Sequence, residues 1–186
     1  DHDAACTWRE NRKENKEAMH EGDINIILPE LEQYRGTVAI VFGGPPCQGF
    51  SVAGKMDPND ERSELIFTFL KAVEIVEPEF FVMENVKALG TLDKWENVRR
   101  KYLAQAEKLG YSVAFSVFHT PDFGVPQNRD RVIFVGVKNG VPTLFFDEMK
   151  KLTCVAPTAR EVLSAVGKYG TPENPNTCAA NITLAK

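Results

Sequence analysis

The stretch Thr37-Val38-Ala39-Ile40-Val41-Phe42-Gly43-Gly44-Pro45-Pro46-Cys47-Gln48-Gly49-Phe50 decides how this chain is read. Residues 38–42 form a continuous apolar run, the pattern of a strand buried on both faces. From residue 43 onward the chain has neither a helical nor a strand period. Gly43 and Gly44 permit a sharp bend and close backbone approach. Pro45 and Pro46 then stiffen the entry to Cys47. Rigid presentation of a thiol suits a nucleophile, and a purely structural turn is the equal alternative. The aperiodic segment continues to Arg62, and a loop of that length inside a compact domain is uncommon unless it is functional.

Outward from this stretch, strands and helices alternate. Residues 65–76 read as a helix with Leu65, Phe69, Ala72, Val73 and Val76 on one face. Phe80-Phe81-Val82-Met83 is a second buried strand. A second helix spans residues 95–109, and Gly110 ends it in a good C′ position. Residues 113–119 and 131–137 supply a third and a fourth strand. This order predicts an α/β fold with a mostly parallel sheet and right-handed crossovers. The short connection over residues 120–130 predicts an antiparallel hairpin at one edge. Upstream, residues 3–16 read as a helix and Glu21-Gly22-Asp23-Ile24 as a turn. After Val137 the periodic signal weakens. A short helix is expected over residues 158–166, with Thr158 as N-cap and Glu161 closing a capping box.

Composition narrows the class. The 186 residues carry 22 Lys and Arg against 26 Asp and Glu, a net charge of −4, with 43% hydrophobic and 26% charged residues. That balance excludes a disordered, collagen-like or disulfide-dense chain. No apolar run approaches the ~20 residues of a membrane helix, and no segment reads as a signal peptide. Cysteines 6, 47, 154 and 178 show no metal-ligand spacing. A cytoplasmic protein with reduced thiols, no metal and no membrane is expected. Mild acidity does not exclude nucleic acid, because a cleft can be basic while the whole is not. The opening at Asp1 rather than Met suggests a start partway through a longer protein.

The topology itself places a candidate site. Ligands of open parallel sheets bind beyond the carboxyl ends of the strands. Cys47 lies just beyond the first strand, Glu84 and Asn85 at the end of the second, His119 at the end of the third. The fourth strand runs backwards, so Arg131 starts at the same rim. A carboxylate after four apolar residues is expected to be partly buried, and burial favours the protonated form of a carboxyl group. Arg129 and Arg131 alternate at strand spacing and are expected to face one side. Arg99-Arg100-Lys101 reads as a solvated helix face, and His2, His20 and His119 as structural or surface residues.

Three motifs now stand together: Gly43-Gly44-Pro45-Pro46-Cys47-Gln48-Gly49-Phe50-Ser51, Glu84-Asn85-Val86, and Gln127-Asn128-Arg129-Asp130-Arg131. Their wording, order and spacing closely resemble the motif series of DNA cytosine-5 methyltransferases. The resemblance implies a Rossmann-like S-adenosylmethionine-dependent methyltransferase fold, truncated here, and double-stranded DNA as partner. It implies that Cys47, Glu84, Arg129 and Arg131 are catalytic. Cys47 would add to carbon 6 of a flipped cytosine, Glu84 would serve ring nitrogen 3, Arg131 would hold oxygen 2, and Arg129 would serve the phosphates or the loop. Asn85 would fix the cysteine-bearing loop. Asp23, Ile24, Pro45 and Leu65 would bind S-adenosyl-L-methionine, and Gln48, Ser51, Lys55 and Gln127 would contact DNA.

The resemblance also implies a division at residue 150. Residues 1–150 match part of the catalytic domain, and residues 151–186 the lead-in to the target recognition region. The family's glycine-rich first strand, its ribose-binding acid, the recognition region and a late helix that completes the cofactor pocket have no counterpart in these residues. The chain is therefore expected to be an excised catalytic piece, inactive alone, with a missing segment or second chain completing the cofactor site. A prokaryotic, nucleoid-associated enzyme is expected, and the sequence leaves open whether it belongs to a restriction-modification system or acts alone. The alternative is a tRNA cytosine-5 methyltransferase of the same fold, against which Gly49-Phe50-Ser51 argues, or a non-catalytic module derived from it. A cysteine hydrolase using Cys47 and His119 finds no specific support.

Overall fold

A computed structural model describes residues 1–12, 14, 18–46 and 64–165. In it, β1 (Ile40–Gly43), β2 (Phe80–Val86), β3 (Tyr111–His119) and β4 (Asp130–Lys138) form one sheet in the order β1-β2-β4-β3. The helices are α1 (His2–Asn11), α2 (Ile24–Ile27), α3 (Leu65–Val76), α4 (Lys87–Thr91), α5 (Glu96–Lys108), α6 (Thr143–Lys150) and α7 (Ala159–Ala165).

The α/β class and the β3–β4 hairpin are as the sequence suggests. The sheet is mixed rather than mostly parallel by pairing. β1 and β2 pair in parallel, while β4 lies between β2 and β3 and is antiparallel to both. β1, β2 and β3 thus point the same way, but β2 and β3 are not neighbours. A connection as short as residues 120–129 cannot carry a crossover, so β4 must return antiparallel. The gap it fills is the one between two strands already running in one direction.

The core lies mainly on one face. Phe81, Met83, Val132 and Phe134 project from β2 and β4 onto Ile66, Phe69, Leu70 and Val73 of α3 and Tyr102 and Ala106 of α5. Register matches Phe81 to Gly136. A Cβ at Gly136 would sit 2.0 Å from the Phe81 ring, so only glycine leaves room for it. Gly110, at φ +87°, ends α5 in the left-handed conformation expected of a C′ residue. On the other face Phe146 of α6 covers Val135 and Val137. The weak periodicity after Val137 predicts no element there; the apolar pair Phe145-Phe146 inside a short polar helix is its signal.

Two boundaries are corrected. The N-terminal helix stops at Asn11 rather than continuing to residue 16. The first strand begins at Ile40, and it is not buried on both faces: Ile40 is 45% and Phe42 78% exposed. Among the described residues β1 pairs with β2 alone, so its apolar character does not translate into burial. The capping box is present: Thr158 N–H and Oγ1 donate to Glu161 Oε2 at 2.7 and 2.8 Å, and Glu161 N–H donates back to Thr158 Oγ1.

Candidate active site

β2 leaves the core at Asn85, which is 1% exposed. Its side chain is spent on the backbone. Nδ2 donates to the Pro45 carbonyl at 3.2 Å, and Oδ1 accepts from Val86 N–H at 2.9 Å. The end of β2 is thereby tied to the Gly43-Gly44-Pro45-Pro46 turn two residues before Cys47. Cys47 itself, with Gln48, Ser51 and Lys55, lies outside the described residues.

One residue earlier, Glu84 projects from the opposite face of β2. Its Oε1 meets Nε of Arg131 at 2.6 Å. Register explains the pairing: Glu84 lies across from Ile133 and Val86 across from Arg131, so the two side chains meet on a diagonal of one face. The Glu84 side chain is 42% exposed and Arg131 22%, so the carboxylate is partly buried, as its position after four apolar residues leads one to expect. Gly44 lies against it: a methyl group there would come within 3.0 Å of Glu84 Oε2. The glycine is thus a close-approach position that brings the turn over the carboxylate.

The remaining rim residues divide. β4 begins at Asp130, so strand alternation governs Arg131 but not Arg129, which is exposed in the preceding loop. Gln127 is exposed in that loop as well. The loop is closed by backbone: Thr120 N–H donates to the Arg129 carbonyl at 2.9 Å, and Thr120 Oγ1 to the Gln127 carbonyl at 2.6 Å. Arg99, read from the sequence as solvated, instead donates to the carbonyls of Leu89 and Leu92, closing the end of α4. Nothing in its helical spacing marks that use.

Beside the turn is a cavity of about 540 Å³, mostly apolar, walled by Ile24, Val41, Pro45, Leu65 and Phe69 with Asp23 among its lining. Asp23, Ile24, Pro45 and Leu65, read from the sequence as cofactor residues, therefore line one space. Asp23 caps α2, and its hydrogen bonds among the described residues, to Asn25 N–H and Nδ2, both fall on Oδ1. The volume is in the range that holds a nucleoside-sized ligand. Apolar walls with one carboxylate whose Oδ2 accepts no hydrogen bond from the described residues suit an adenine ring and its amino group. The residues present fit the adenosine part of S-adenosylmethionine.

Among the described residues, no helix is long and apolar enough to cross a membrane, and no cluster of three or more His, Cys, Asp or Glu could hold a metal ion.

A mixed α/β sheet carries a Glu–Arg pair at the end of β2 and a largely apolar cavity beside the glycine-proline turn, and comparison with known proteins identifies the family. The family model for C-5 cytosine-specific DNA methylase matches residues 1–183, and the chain belongs to that family. It is 46% identical over 106 residues to the Type II methyltransferase M1.HphI of Haemophilus parahaemolyticus, covering 55% of this chain and 28% of that protein. It is 35% identical over 148 residues to the Type II methyltransferase M.XorII of Xanthomonas oryzae pv. oryzae, covering 76% of this chain and 35% of that one. In fold it is similar to the methyltransferase EhMeth of Entamoeba histolytica, with a TM-score of 0.53 at 20% identity over 74% of this chain and 42% of that structure. The chain spans about a third of the length of the curated relatives it matches.

Proposed function

We propose that this chain is the part of a DNA cytosine-5 methyltransferase that holds the nucleophile and activates the cytosine ring. The observation that carries the reading is the Glu84–Arg131 pair set against Gly44, a residue that with Pro45 also lines the apolar cavity.

Carbon 5 of cytosine is too weak a nucleophile to be methylated directly. In this reading the Cys47 thiolate forms a bond to carbon 6, and the ring's electron pair moves toward nitrogen 3. Glu84 donates a hydrogen bond or proton there, so that negative charge does not accumulate on the ring. Arg131 has a guanidinium fork to divide between Glu84 and oxygen 2 of the base. S-adenosylmethionine, when bound, supplies a methyl carbon on a sulfonium that a carbon nucleophile can take. Carbon 5, now enamine-like, is that nucleophile. Loss of its proton and departure of the Cys47 thiolate restore the ring. Asp23, Ile24, Pro45 and Leu65 hold the adenosine, and Asn85 keeps the turn before Cys47 in place.

The carbon-6 face is hidden inside a duplex, so the target base leaves the stack. Gln48, Ser51, Lys55, Arg129 and Gln127 are the proposed contacts to double-stranded DNA, phosphates first. Residues 151–186 lead toward a recognition region, and a further segment or chain completes the cofactor site. The whole protein acts on chromosomal DNA in the cytoplasm, as part of a restriction-modification system.

The test is intact-protein mass after incubating the full protein with S-adenosylmethionine and duplex DNA containing 5-fluorocytosine. Fluorine cannot leave as a proton, so the adduct is trapped. An adduct absent from Cys47→Ser supports the reading. A methylated duplex with no adduct, or an adduct that persists in Cys47→Ser, overturns it.

A further inference from the structure

Asp130 stands between the two arginines of the third motif, and the site described above does not use its carboxylate. The structure gives that carboxylate two side-chain partners from two other elements. Lys87 Nζ, at the start of α4, lies 3.0 Å from Oδ2, and His119 Nδ1, at the end of β3, lies 2.8 Å from Oδ1. Asp130 and Arg131 are adjacent in β4 and so project to opposite faces. The three-residue clamp and the Glu84–Arg131 pair therefore lie back to back across the same strand end.

The Asp130 backbone connects them. Arg131 Nη1 donates to the Asp130 carbonyl at 2.7 Å while Arg131 Nε meets Glu84. One guanidinium is thus held at two points, and one of them is the peptide whose side chain is clamped. A guanidinium is planar and rigid, so fixing that carbonyl fixes the plane in which Nε addresses Glu84. Without the clamp, the first residue of a strand that follows a loop is where fraying is expected.

We propose that Asp130 is a positioning residue for the Glu84–Arg131 pair, acting through its clamp to Lys87 and His119. The proposal rests on the reading that this pair activates the base. Its physical content is independent of that reading: the clamp orders Arg131. The His119 and Lys87 hydrogen bonds hold the Asp130 carboxyl below the usual carboxylate range, so it is charged at neutral pH.

The experiment compares the intact protein with Asp130→Asn, using two readouts. Solvent exchange of the Arg131 Nε–H, followed by NMR with 15N-arginine labelling, is expected to accelerate by about tenfold or more, against Arg9 and Arg35 as internal references. Single-turnover methyl transfer is expected to fall by about tenfold with KM for DNA unchanged, because a small misalignment of a reacting group is costly while binding is not touched. Asp130→Glu, which keeps the charge, is expected to recover most of both. Unchanged Arg131 exchange in Asp130→Asn overturns the proposal, whether or not the parent protein methylates DNA. If Asp130→Asn does not fold, Lys87→Met and His119→Gln each remove one arm, and parent-like Arg131 exchange in both overturns it equally. Failure of the 5-fluorocytosine adduct in the parent would overturn the functional reading alone and leave the exchange result to decide this one.

Discussion

The two ends of the β2–β4 pair carry nearly the same chemistry and put it to different use. At one end Glu84 meets Arg131, with Lys87, Asp130 and His119 behind them. At the other, Glu77 meets Arg35 and Lys138, with Arg35 shared by Glu32 at 2.7 Å. Each end has a carboxylate, an arginine and a lysine gathered from separate elements. The second set lies on a turn, at the left-handed residue that terminates α3 (Glu77, φ 53°), and all its carboxylates are about half exposed. The first set lies where a strand end, a glycine-proline turn and an apolar cavity converge. An arginine–carboxylate contact is therefore not what identifies a site. Its convergence with a close-approach glycine and an apolar cavity is.

The largest expected effect comes from breaking the first end. Glu84→Gln keeps the size of the side chain and a hydrogen-bonding group, but removes the acid and its charge. Adduct formation with 5-fluorocytosine should slow by about 10²- to 10³-fold, the scale for losing one group that stabilises developing charge. Melting temperature should barely move, because a half-exposed pair contributes little to stability. A stability loss as large as the loss of rate would place Glu84 with the structural pairs of the other end.

Asn85→Ala sharpens the comparison from beneath. Asn85 is buried and spends its amide on Pro45 and Val86. Removing it leaves the partners' backbone groups unpaired in a partly buried position, at a cost of about 1–3 kcal/mol. Denaturant unfolding should show that loss, together with slower adduct formation as the turn before Cys47 loosens. Loss of stability with the adduct rate intact would sever the turn from the chemistry.

Which parts of the molecule are legible in the sequence depends on which forces act locally. The strands, α3, α5, the Gly110 terminus and the Thr158–Glu161 box are readable because periodicity and capping are short-range. The placement of β4 between β2 and β3 is not, since strand order depends on what else fills the sheet. Nor is the exposure of Phe42, because an apolar run reports a preference for burial and not the presence of a cover. Within the candidate site, Glu84, Arg131, Asp23, Ile24, Pro45 and Leu65 are singled out through motif resemblance, and strand direction alone brings Glu84, His119 and Arg131 to one rim. The Lys87–Asp130–His119 clamp stays hidden: its members are 43 and 11 residues apart and meet only through register.

The smallest effect is expected at the far end, and it is the control that gives the comparison meaning. Glu77→Gln should leave adduct formation unchanged and produce no measurable shift in melting, since the carboxylate it removes is half exposed. It should still be visible at one neighbour. The Tyr111 phenol, whose hydroxyl donates to the Pro78 carbonyl at 2.6 Å, is pushed up to about 12, first by burial and then by the negative charge of Glu77. A nearby negative charge disfavours the phenolate, so removing it must lower the Tyr111 pKa. Burial persists, so the value must stay above the ordinary 10 of a phenol. Ultraviolet titration of the parent and Glu77→Gln proteins, with Tyr111→Phe to identify the transition, reads this directly. A Tyr111 pKa that does not move would mean that Glu77 is fully screened by water and its cations. A change in adduct rate would mean that the two ends of β2 and β4 are coupled through the sheet, and the contrast drawn between them would not hold.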